Sequence, residues 1–73
     1  MNPIALLSSV ALLEDVPEQS LTKGQIGTVV ELLQRDGEEA LLVEFSDTMG
    51  QTYAMVDLKP DQLLPLHRKP EAA

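Results

Sequence analysis

The sequence predicts a small all-β barrel of about five strands, with one short 3₁₀ or helical turn before the last of them. The first observation behind this is punctuation. Turn-forming residues recur at Pro17, Lys23-Gly24, Gly27, Asp36-Gly37, Asp47 to Gly50 and Lys59-Pro60-Asp61, a spacing of roughly ten residues that marks small sandwiches and barrels. The second is what lies between: short runs of Val, Leu and Ile, too short for most helices. The third is size and composition. With 73 residues, 44% apolar content, one Phe, one Tyr, no Trp and no Cys, the chain forms one domain with an aliphatic core and no disulfides. The domain is expected over residues 1–66, followed by a disordered tail over 67–73 that carries Pro70 and little to bury.

Ser9 to Glu14 reads as the first strand, with Val10, Leu12 and Leu13. Helix competes, because Ala and Leu favour it, but the long loop Asp15 to Gln25, with Pro17 and Gly24, favours a strand. The apolar stretch from Ile4 to Leu13 has no basic residues before it and is about half the roughly 20 residues of a membrane span, so it is read as a buried strand. Ile26 to Leu33 is the clearest strand, since Thr28, Val29 and Val30 are β-branched. Gly27 inside it marks a bulge or a close backbone approach. Asp36-Gly37 is a hairpin turn, and Ala40 to Phe45 returns from it with Leu41, Val43 and Phe45 on one face and Ala40, Leu42 and Glu44 on the other. Leu42 implies that this strand is partly covered on both sides.

Asp47-Thr48-Met49-Gly50 closes a second hairpin and Gln51 to Val56 forms the next strand. Tyr53 and Met55 share one face; Thr52, Ala54 and Val56 share the other. Met55 is expected in the core, Tyr53 at its edge or as an exposed contact residue, and Met49 exposed at the turn tip. Pro60 suits the start of a single helical or 3₁₀ turn. Leu63 to Leu66 forms a short final strand that Pro65 confines to a sheet edge or to the end of pairing. The order of strand, long loop, three tightly connected strands, helical turn and final strand is that of an SH3-like barrel, where closing the sheet hides its edges.

The residues also resemble a known family. Leu12-Leu13-Glu14-Asp15-Val16-Pro17-Glu18, then Leu21-x-Lys23-Gly24-x-Ile26-Gly27-Thr28-Val29-Val30-Glu31, then Val43-Glu44-Phe45 and Leu58-x-Pro60-x-Gln62-Leu63 are similar to a family of short, uncharacterised bacterial proteins, frequent in cyanobacteria, known as a domain of unknown function. The similarity covers Val10 to Leu66. The Lys-Gly-x-x-Gly-Thr-Val-Val block also recurs in other SH3-like barrels; the Leu-Lys-Pro-x-Gln-Leu ending is more specific. The resemblance implies an SH3-like barrel and no established activity. Small members are often encoded beside toxin-like or other uncharacterised genes, a context that suggests an antitoxin or immunity role.

Candidate chemistry is sparse. Gly24-Gln25-Ile26-Gly27 lacks the further glycines, helix N-terminus and Lys-Ser/Thr ending of a phosphate loop, and reads as a turn at Gly24 and a bulge at Gly27. His67 is the single histidine and has no Cys or second His with which to hold zinc. Ser8, Ser9, Ser20 and Ser46 lie in no nucleophile-elbow context. Phe45 and Tyr53 are too few for a proline-peptide groove or an aromatic cage. No cofactor, metal site or enzymatic activity is therefore expected.

The formal charge of −7 argues against nucleic acid, whose binders need a basic face. It favours a protein partner with a basic surface, toward which it steers association. The expected binding residues are the acidic loop positions Glu14, Asp15, Glu18, Asp36, Glu38 and Glu39, with exposed Met49 as an adaptable apolar contact. The function expected is a non-enzymatic, cytoplasmic protein-binding module with no membrane attachment. The alternative is an accessory subunit that forms a homodimer through a barrel edge.

Overall fold

The computed structural model describes residues 4–66. They form an all-β domain: β1 (Ser9–Leu12), β2 (Ile26–Arg35), β3 (Glu38–Ser46), β4 (Thr52–Leu58) and β5 (Leu63–Pro65), with 3₁₀ turns at Pro17–Gln19 and Pro60–Gln62. All pairing is antiparallel, in one sheet of order β4-β3-β2-β1-β5. The turn before the last strand stands where Pro60 places it. The proposed tail and His67 lie outside the described residues.

The core takes alternate residues from every strand. Val10 and Leu12 of β1, Val29 of β2, Leu41, Val43 and Phe45 of β3, Val56 and Leu58 of β4 and Leu63 of β5 are buried together with Ile4, Val16 and Leu21. Phe45 is the largest of the fully buried side chains. Gly27 is the complement of this packing. A Cβ there would lie 2.7 Å from Val43 Cγ1, 2.9 Å from the Glu44 carbonyl oxygen and 2.9 Å from Phe45 Cε2, so bare backbone is what lets β2 lie against the β3 side chains.

Several expectations are corrected. β1 ends at Leu12, two residues early, and Leu6, Leu7 and Leu13 are exposed, so the N-terminal apolar run is not a buried strand throughout. The bulge in β2 lies between Val29 and Glu31, not at Gly27; Gly27 serves the close approach instead. β2 and β3 run on to Arg35 and Glu38 because Asp36 and Gly37 have φ of +50° and +80°, the two positive-φ positions of a tight type I′ hairpin.

In β4 the inward face is Ala54, Val56 and Leu58. Met55 and Tyr53 are therefore outward, at 53% and 52% exposure; Met55 is not a core residue, and Tyr53 takes the exposed one of its two expected places. Leu58 falls in phase with Val56 and settles which face turns in. Tyr53 stands at a register irregularity, where its hydroxyl accepts a 2.6 Å hydrogen bond from Gln25 Nε2. Backbone pairing does not join β4 to β5, so the ladder keeps both as edges where full closure was expected to hide them. β5 is short and holds Pro65, which blunts its edge.

Candidate functional site

The long loop between β1 and β2 is built as a small clamp. The Val16 and Leu21 amides donate to each other's carbonyls at 2.9 and 3.1 Å, and both side chains are rooted in the core. Pro17 opens the 3₁₀ turn between them and Ser20 closes it in the left-handed region. This geometry lifts Glu18 and Gln19 to the tip of the clamp. The base of the loop is fixed separately: Asp15 Oδ1 accepts from the Lys23 amide at 2.8 Å, and the Gly24 amide donates to the Leu12 carbonyl at 2.8 Å.

The clamp faces β4 across a groove of about 440 Å³, lined by Val16, Glu18 and Gln19 on one side, by Met55, Val56, Asp57 and Leu58 on the other, and by Gln62. Gln62 ties three parts of the chain together. Its Oε1 accepts from the Lys59 amide at 2.8 Å, its Nε2 donates to Glu14 Oε2 at 3.1 Å, and its backbone carbonyl accepts from the Leu13 amide at 2.9 Å. Glu14 is thereby held beside the groove.

The ionisable side chains of the lining, Glu18 and Asp57, are both acidic. Asp57 Oδ2 lies 2.6 Å from Arg35 Nη2; the pair is solvated and worth at most about 1 kcal/mol.

Of the acidic residues read from the sequence, Glu18 lines this groove and Glu14 is tied to its Gln62. Asp15 is turned back onto the Lys23 amide. Asp36 belongs to the β2–β3 hairpin turn. Glu38 lies 4.0 Å from Lys59 Nζ. Glu39 lines a different cavity, of about 240 Å³, with Ile4, Leu32, Leu33, Gln34, Ala40 and Leu41. Met49 is exposed at the β3–β4 turn, where Asp47 Oδ1 accepts from the Met49 and Gln51 amides at 2.9 and 3.0 Å. Among the described residues no three or more His, Asp or Glu side chains form a metal-binding group.

Asp57, Met55, Gln19 and Gln62 were not anticipated as site residues. Gln62 stood within the specific Leu-Lys-Pro-x-Gln-Leu ending, which was a usable signal. The others reach the groove because the loop folds back over β4, a contact with no local signature.

These features define a small all-β domain with an acidic groove along a strand edge. The chain belongs to a family described as a domain of unknown function (DUF4926), whose model matches residues 6–65. No curated protein and no solved structure matches it.

Proposed function

We propose that this SH3-like domain is a non-enzymatic, cytoplasmic protein-binding module that docks a basic partner in the groove between the β1–β2 loop and β4. The observation that carries the reading is the groove's charge: Glu18 and Asp57 line it, with Asp57 paired to Arg35 from outside the lining, Gln62 holds Glu14 beside it, and the lining itself contains no Lys or Arg. A net charge of −7 over the whole chain adds a long-range field that speeds encounter with a basic surface. A basic toxin, with this chain as its antitoxin or immunity protein, is one such partner. The test is affinity capture from an extract of the host at low salt, followed by a salt series. The expected result is a basic protein that elutes as salt rises, because solvent-exposed charges are screened within about 10 Å at 0.1 M. Retention that ignores salt, or no retained protein, rejects the reading.

A second reading, self-association, has one observation in its favour. Ile26 on β2 and Leu64 on β5 both stand opposite Ala11 on β1. They form an outward apolar row at 59% and 49% exposure. Light scattering across a concentration series decides it: dimers that dissociate in Ile26→Lys support this reading, and a monomer at all concentrations removes it.

A further inference from the structure

The backbone bonds fix which way the edge of β4 points. The Val29 amide donates to the Ser8 carbonyl at 3.0 Å, and the Val29 carbonyl accepts from the Leu7 amide at 2.6 Å. Both polar groups of Val29 therefore face away from β3. Val29 stands opposite Val43, so that pair is a non-hydrogen-bonded one, and Val43 turns its own amide and carbonyl toward β4. Val43 stands opposite Val56. Val56 consequently bonds inward to β3, as do Ala54 and Leu58 by alternation. The amides and carbonyls of Met55 and Asp57 then point outward, along the free side of an edge strand. Met55 and Asp57 also line the acidic groove.

We infer that the groove takes its partner by strand addition: an extended basic segment pairs antiparallel or parallel with β4 through the outward backbone groups of Met55 and Asp57. This rests on the binding reading above and specifies its mode. An unpaired strand edge is a template for another strand, and main-chain bonds supply affinity in such complexes while alternate side chains supply specificity. Here the alternation has chemistry to meet it. Lysine or arginine side chains of the added strand meet Glu18 of the clamp or compete with Arg35 for Asp57, whose pair is solvated, while the intervening residues lie over the edge of the core that Val16 and Leu58 close. A second copy of this chain fits the edge less well, because it would bring Asp57 and Glu18 against an equally acidic surface.

The probe is a short peptide of alternating lysine and valine. Its control is the same peptide methylated at every backbone nitrogen, which keeps the charges and removes the donors. Amide hydrogen exchange on the whole chain provides the readout. The expected result is that exchange at Met55 and Asp57 slows by about tenfold or more with saturating peptide, and that the methylated peptide binds about tenfold more weakly, a loss of about 1.4 kcal/mol. Met55→Pro supplies a second test, because an outward-facing amide on an edge strand is where proline is tolerated. The folded variant should lose peptide binding.

Equal binding of the two peptides overturns strand addition. So does peptide binding that leaves the Met55 and Asp57 amides unprotected; in both cases the acidic docking reading survives. Binding of neither peptide at low salt counts against both. Protection of the two amides that grows with protein concentration and needs no peptide gives the edge to a second copy, and also overturns the proposal.

Discussion

Gly27 shows how much one hydrogen in place of a methyl group controls. It is buried, and any Cβ there would overlap Val43, Phe45 and the Glu44 carbonyl. One of these neighbours is backbone and the other two are core side chains, so little can move aside. Gly27→Ala is expected to lower stability by about 1–3 kcal/mol, measured by urea denaturation. Gly37→Ala offers a contrast: nothing lies within 4 Å of its added Cβ, yet φ is +80°. Its cost is backbone strain alone, about 1 kcal/mol. The Arg35–Asp57 pair is a third case at this scale. Both side chains are solvated, so Arg35→Gln should change stability by less than about 1 kcal/mol. Any change should shrink as salt is raised from low to about 1 M, where the screening length is about 3 Å.

At the scale of elements, β4 forms one wall of the groove, and two polar ties hold the loops that form the other. Asp15 fixes the base of the β1–β2 loop through the Lys23 amide, and Gln62 joins the turn before β5 to Glu14 and to Lys59. Gln62→Ala removes two side-chain hydrogen bonds. It is expected to cost about 1–2 kcal/mol and to speed amide exchange in the Pro60–Gln62 turn, with little change in β3.

Much at this scale was legible in the sequence. Asp36-Gly37 announced the hairpin, Pro60 the turn, Pro65 the edge, and the Leu41-Val43-Phe45 alternation the inward face of β3. Met55 was misread because both faces of its strand carry apolar residues over 52–56. Only Leu58, beyond the expected strand end, shows which phase the core selects. Of the acidic candidates, Glu18 lines the groove and Glu14 is tied to its Gln62. Asp15 could not be told from them by type, because its carboxylate is used by a turn that only the folded loop creates. The site as a whole is a tertiary object, made where a loop returns across an edge strand.

At the scale of the molecule, charge and topology act together. The sheet leaves β4 as an open edge, and the loop folded beside it places carboxylates along that edge. Overall charge alone would attract a basic partner anywhere on the surface; on the proposed reading the groove would confine where it seats. The two contributions separate cleanly by charge reversal at matched positions. Glu18→Lys and Asp36→Lys change the net charge by the same amount, but Glu18 lines the groove, while Asp36 sits in the β2–β3 turn. The decisive measurement is the affinity of both variants for the captured basic partner at one low salt concentration. If the groove is the site, Glu18→Lys weakens binding by about tenfold or more, and Asp36→Lys leaves it within a few-fold of the unmodified protein. Equal losses in the two variants would show that net charge alone governs association, and would contradict the groove as the binding site.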